Sequence, residues 1–312
     1  MAYDNVLYII GNGFDRHHHV RSSYLDFADW LKKNNKVLYG TLSDVCKEDF
    51  LWKDFERALA YVNRDYFISM GDIMLPTNWT EDDGYAELFY AQDYVRGEAD
   101  IFWDKIQKWF RKWVRTIKWE KDSASKKVRI DYDARFITFN YTPFLETEYS
   151  ISPENILYIH GRAGDQKSPP IIGHDGRDTF DEWYKTAGKE TKRHYQGKYA
   201  MLPEVEMMTR SVEEFYSVSE KPVQAILSRH QDFIRGLHDV ECIYVLGHSL
   251  GNVDIPYFKA INDANERPDE LQWYVSYYSD EEKDALEGIM RSRVISEKAK
   301  LQMISMDSLQ VC

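Results

Sequence analysis

The chain has 312 residues, 43% hydrophobic and 29% charged, and a formal net charge of −12. That length suits one large α/β domain or one domain with insertions, and the composition excludes a disordered chain. The acidic balance argues against a general grip on a nucleic-acid backbone, which needs clustered Lys and Arg, but leaves room for a local pocket around a small phosphorylated ligand.

The first predicted strand, Val6–Ile10, runs directly into Gly11-Asn12-Gly13-Phe14-Asp15. A glycine pair at the carboxyl end of a strand lets backbone approach a phosphate ahead of a helix N-terminus. Arg16 stands where GxGxxG would place its third glycine, so a plain strand-to-helix turn is the competing reading. His17, His18 and His19 follow; adjacent histidines on a helix point in different directions and lack an acidic partner at ligand spacing, so no metal is expected. Tyr24, Phe27, Ala28 and Leu31 then mark a helix, with Asp26 at capping-box distance from Ser23.

Residues 32–127 read as a helical insert, with apolar faces at Trp52, Phe55, Leu59 and Val62 and at Ile106, Phe110, Trp113 and Ile117. Trp103, Trp109, Trp113 and Trp119 are read as packing aromatics. The second strand, Arg135–Phe139, ends on Asn140-Tyr141-Thr142, and the third, Ile156–Ile159, ends on His160-Gly161. Polar residues at these ends face the ligand crevice of an open α/β sheet, and an imidazole there suits a general base near neutral pH. A turn-forming Asn and a hydrogen-bonded structural His are the bland alternatives. Residues 162–221, polar and containing Pro169-Pro170, read as a lid or small insert.

Pro222 opens a helix whose inner face carries Val223, Ile226, Leu227, His230, Ile234 and Leu237, with His230 read as a core residue. The fourth strand, Cys242–Leu246, meets Gly247-His248-Ser249-Leu250-Gly251, formally the GxSxG of a nucleophile elbow. None of the nine histidines follows Ser249, so an esterase triad in its usual order cannot be assembled. Strands at Leu271–Tyr277 and Leu301–Ser305 flank a helix capped by Ser279. Six short apolar runs alternating with helices predict a single Rossmann-like α/β domain, doubly wound with a mainly parallel sheet and helical insertions.

Cys46, Cys242 and Cys312 form no CxxC pair, which excludes a zinc module or disulfide framework. The amino-terminal run is short and lacks a basic region, and no stretch approaches the ~20 apolar residues of a membrane span. A cytoplasmic protein is expected. GxxxxGK[ST] is absent, which excludes a P-loop NTPase.

Several motifs taken together resemble the AbiH family of bacterial abortive-infection, phage-defence proteins. They are Ile9-Ile10-Gly11-Asn12-Gly13-Phe14-Asp15 with Ser22-Ser23-Tyr24-Leu25-Asp26-Phe27, then Phe139-Asn140-Tyr141-Thr142, Ile159-His160-Gly161, and the stretch from Gly247 through Asn252-Val253-Asp254-Ile255-Pro256. Their order is also similar to the sirtuin superfamily. That resemblance implies NAD as substrate, with Gly11, Asn12 and Gly13 near the pyrophosphate and Asn140 on the nicotinamide ribose or a water. It implies His160 as catalytic base and Ser249 on a ribose or phosphate. Asp15, Thr142, Gly247 and His248, from the same motifs, join the NAD-contacting set. Sirtuins that remove acyl groups usually carry a four-cysteine zinc module, which this chain cannot build. The acid two residues after the asparagine is replaced by Thr142, so NAD hydrolysis is the nearer analogue. The competing readings are a nucleotide-binding sensor or interaction module without turnover, and an enzyme on another nucleotide or nucleic acid. A homo-oligomer or a phage-derived trigger are the partners such an effector implies.

Overall fold

The structure, a computed structural model, describes residues 5–46, 51–72, 86–119, 127–176 and 203–309. Cys312 and, within the expected inserts 32–127 and 162–221, the stretches 47–50, 73–85, 120–126 and 177–202 lie outside the described residues.

Six strands form one sheet: β1 (Val6–Ile10), β2 (Arg135–Thr138), β3 (Ile156–Tyr158), β4 (Cys242–Leu246), β5 (Gln272–Tyr277) and β6 (Lys300–Ser305). Their order is β3-β2-β1-β4-β5-β6, and every neighbouring pair is parallel. This is the Rossmann-like, doubly wound α/β fold expected from the apolar runs. The strands read as continuous apolar segments because both faces are covered. Leu7, Ile9, Ile137, Ile243, Val245 and Trp273 pack on one face with the helices Ile255–Ala264 and Asp280–Ile289. Tyr8, Ile10, Phe136 and Leu246 pack on the other with Phe14, Phe144 and Tyr149. On that second face Tyr8 stacks on Phe136 and on Tyr244, and Tyr244 stacks on Tyr274, a row of rings crossing four strands.

The chain leaves β1 outward through β2 and β3, then returns to β4 on the other side of β1. The sheet therefore has its topological switch between β1 and β4, the place where open α/β sheets leave a crevice at their carboxyl edge.

Two compact units divide the chain. The first, Met1–Phe27, Arg111–Ile171 and Pro222–Cys312, carries the sheet. The second, Ala28–Phe110 and Ile172–Lys221, is helical in its described part. The stretches read as separate insertions, 32–127 and 162–221, thus contribute to a single unit with somewhat different limits. Its centre is aromatic, with Phe67, Phe102 and Phe215 in mutual ring contact, and the buried Lys221 ammonium meets the Glu56 carboxylate at 2.8 Å.

Local signals decided the helix ends with mixed success. Ser23 and Asp26 form the reciprocal cap: the Ser23 Oγ accepts from Asp26 N–H at 3.2 Å and the Asp26 carboxylate accepts from Ser23 N–H at 3.1 Å. Ser279 caps its helix through Glu282 N–H. The run after Pro222 is two short helices, Val223–Arg229 and Gln231–Arg235, broken at His230 (φ −106°, ψ 14°). His230 is half-buried at that break rather than a core residue. The face beginning at Trp52 shortens to Phe55–Leu59, because Asp54 caps the helix there through Arg57 N–H. No helix among the described residues is long and apolar enough to cross a membrane.

Candidate functional site

Four neighbouring strands end on the residues singled out by the sequence. Gly11 follows β1, Asn140 lies two residues past β2, His160 two past β3, and Gly247 follows β4. The turns after β1 and β4 pack backbone on backbone: Gly11 N–H donates to Leu246 O at 2.9 Å and Gly13 N–H to Gly247 O at 2.7 Å. A Cβ on Gly11 would stand 2.5 Å from the Gly247 carbonyl oxygen and the His248 Cα, and one on Gly13 would stand 2.8 Å from Gly247. Gly247 has φ +65°, where L side chains are strained, and a Cβ there would strike Phe14 N. The space these glycines open is thus filled, at least in part, by the opposite turn. Asn12 and Ser249 stand exposed at the rims of the two turns, with Ser22 Oγ donating to Asn12 Oδ1 at 2.5 Å.

Behind the β1 turn lies a closed polar cluster. Asp15 is buried, and its carboxylate accepts from Asn140 Nδ2 at 2.7 Å and from Thr142 Oγ1 at 2.6 Å. Asn140 Nδ2 donates also to Gly11 O at 3.1 Å, and Thr138 Oγ1 accepts from the Asn140 backbone N–H. Burial pushes the Asp15 carboxyl up to about 7 from 3.8, because the two hydrogen bonds only partly offset the loss of water. The carboxylate lacking at Thr142 is supplied here by Asp15 from the helix Asn12–His17, and Thr142 donates to it.

A second cluster forms where β3 and β4 end. Asp254 projects from the 3₁₀ turn Asn252–Asp254 between two buried imidazoles. Its Oδ1 lies 3.6 Å from His160 Nε2, and its Oδ2 lies 3.4 Å from His248 Nε2. Phe139 sits against both rings, 5.1 Å from His160 and 4.4 Å from His248, and Tyr257 packs on His160. His248 Nδ1 accepts from Leu250 N–H at 2.9 Å, so in neutral His248 the proton is on Nε2, facing Asp254. That tautomer leaves His248 no lone pair for a metal ion. Among the described residues no group of three or more His, Cys, Asp or Glu is arranged to hold one.

The His160 turn is pinned from several sides. Its carbonyl accepts from Ile171 N–H, and Gly161 at φ +82° leaves no room for a Cβ beside Ser168 and Pro169. Arg162 makes a two-point contact with Glu146, at 2.9 and 2.7 Å, and Tyr158 also donates to Glu146.

Asn140 and His160 end adjacent strands but belong to different clusters: Asn140 turns to Asp15, while its neighbour Phe139 turns to the histidines. The sequence reading missed Asp254 as a site residue. It lay inside the GHSLGNVDIP stretch, and only the fold brings it to His160. The run of three histidines is explained at its centre. Buried His18 donates from Nδ1 to Phe14 O and accepts at Nε2 from Tyr149 OH, which takes Val128 N–H in turn.

No curated protein matches the chain. The family model described as Bacteriophage abortive infection AbiH matches residues 7–277, which spans β1 to the end of β5 and includes both clusters. The chain belongs to the AbiH family of bacteriophage abortive infection.

Proposed function

We propose that this abortive-infection protein binds NAD at the carboxyl edge of β3-β2-β1-β4 and hydrolyses its nicotinamide–ribose bond. One observation carries the reading: His160, Asp254 and His248 converge at that edge, beside the switch between β1 and β4 where such sheets take nucleotides. The similarity of its motif order to sirtuins supports NAD as the nucleotide. In the reaction nicotinamide leaves with the bond electrons and water adds to the ribose carbon. The products are ADP-ribose, nicotinamide and a proton, which His160 accepts from the water. Asp254 stabilises the imidazolium so formed, and His248 donates to the same carboxylate and fixes its orientation. Asn12 and Ser249 stand at the rims that would receive the phosphates and riboses, and Gly11, Gly13 and Gly247 build the turns that carry them.

A binding module without turnover has one observation in its favour: both amide hydrogens of Asn140 are already given to Asp15 and Gly11. Nicotinamide release from NAD by the purified full chain separates the two. Release that is lost in His160→Ala supports hydrolysis; binding of NAD without release supports the module. A homo-oligomer or a phage-derived trigger would account for restraint of such an activity before infection.

A further inference from the structure

We propose that Asp15 is a positioning residue that fixes the polarity of Asn140, so that the site accepts a hydroxyl donor, from a ribose or a water, at Asn140 Oδ1. The assignment of a hydroxyl ligand rests on the NAD reading above; the polarity of Asn140 does not.

The Gly11 carbonyl only accepts, so the Asn140 atom 3.1 Å from it is nitrogen. The same nitrogen lies 2.7 Å from Asp15 Oδ1, so its two hydrogens are both committed. What Asn140 retains for a ligand is Oδ1, an acceptor with two lone pairs. The partner it recognises must therefore carry O–H or N–H, and a phosphate oxygen is refused.

Protonation of Asp15 does not change this. The Thr142 hydroxyl, 2.6 Å from Asp15 Oδ2, donates to the carboxylate and accepts from the carboxylic acid. In both states Oδ1 still accepts from Asn140. Thr142 thus lets a buried acid change its charge without turning the amide.

Two variants separate positioning from charge. Asp15→Asn keeps an oxygen for Asn140 and turns its amide nitrogen to Thr142, so it retains the geometry. Asp15→Ala removes the acceptor. The first readout uses the protein alone: solvent exchange of the Asn140 side-chain amide by NMR, with exposed Asn12 as internal reference. Exchange at least about tenfold slower than at Asn12 is expected in the wild type and in Asp15→Asn, with protection lost in Asp15→Ala. Equal rates at Asn140 and Asn12 in the wild type would overturn the proposal. The second readout is binding and cleavage of NAD. Asp15→Asn should stay within about threefold of wild type and Asp15→Ala should lose roughly tenfold. An Asn variant as weak as the Ala variant would assign Asp15 a charge or proton-transfer role and end the positioning one.

NAD analogues lacking the 2′- or 3′-hydroxyl of the nicotinamide ribose identify the donor. One of them binding about tenfold more weakly, with the penalty gone in Asn140→Ala, assigns that ribose hydroxyl. Analogues that bind like NAD, with turnover but not binding lost in Asn140→Ala, assign a water. Normal binding and turnover in Asn140→Ala would refute both. A wild type with a protected Asn140 amide and no affinity for NAD would overturn the nucleotide reading while upholding the polarity.

Discussion

The two polar clusters at the carboxyl edge are built from similar materials and finished differently. Around Asp15 the contacts are short, 2.6 and 2.7 Å, and the orientation of the Asn140 amide is fixed. Around Asp254 the imidazoles stand off at 3.4 and 3.6 Å, beyond a good hydrogen bond, in an aromatic surround. A buried polar network that is fully paired gives rigidity and a unique arrangement. In the Asp254 cluster the distances are longer, as catalytic hydrogen bonds often are before substrate binds. The first cluster fixes how β1 and β2 end; the second is where reaction is expected.

The largest effect is expected at His160. His160→Ala should lower nicotinamide release by roughly 10²–10⁴ and leave the fold intact, and Asp254→Asn should cost roughly 10–100-fold by loosening both imidazoles. Turnover measured beside melting temperature checks this. A large fall in melting temperature with activity per folded molecule retained would make the histidine cluster structural like the other.

Gly247→Val is the next in size and acts on folding. Its φ of +65° and the collision of a Cβ with Phe14 N leave the turn no relaxed alternative. A loss of about 3 kcal/mol or more is expected, read by chemical denaturation. Gly11→Val and Gly13→Val should behave similarly, since both meet the β4 turn. Loss of NAD affinity in a stably folded Gly13→Val protein would instead favour a phosphate cradle.

How much of this was legible in the sequence differs between the same two places. β1 and β4 were read residue for residue, because a buried parallel strand is a continuous apolar run bounded by glycine. The residues ending four strands were found by the same rule. Asp254 was not, because nothing in its local pattern distinguishes it from a helix-starting aspartate. Its partner His160 comes from β3, and only the return of the chain across β1 brings them together. The Asp15–Thr142 pairing was hidden for the same reason: an acid read as missing beside Asn140 was present on the helix that follows β1. The break at His230 was lost to an apolar period that continues through it.

Asp15 offers a subtler test through pH. Its folded carboxyl is raised to about 7 from 3.8, so between those values the folded state holds a proton that the unfolded chain has released. Stability therefore falls as pH rises through that window and stays lower above it, by up to roughly 4 kcal/mol. Asp15→Asn should remove that slope and leave a protein more stable than wild type at pH 8. Denaturation of both proteins from pH 4 to 8 reads it directly, and parallel curves would mean that Asp15 is not the buried acid it looks to be.

Ser249→Ala should do least. The hydroxyl is exposed on the rim and no histidine follows it in the chain, so activity should change by about an order of magnitude at most, as for loss of one hydrogen bond to a ligand. Covalent capture of Ser249 by a serine-hydrolase probe would revive the esterase.

The most direct measurement is nicotinamide release from NAD by the full chain and by His160→Ala, with melting temperatures on the same preparations. Release by the wild type and its loss in an equally stable His160→Ala protein is the predicted result. A stable His160→Ala protein that cleaves NAD as fast as the wild type would contradict the account.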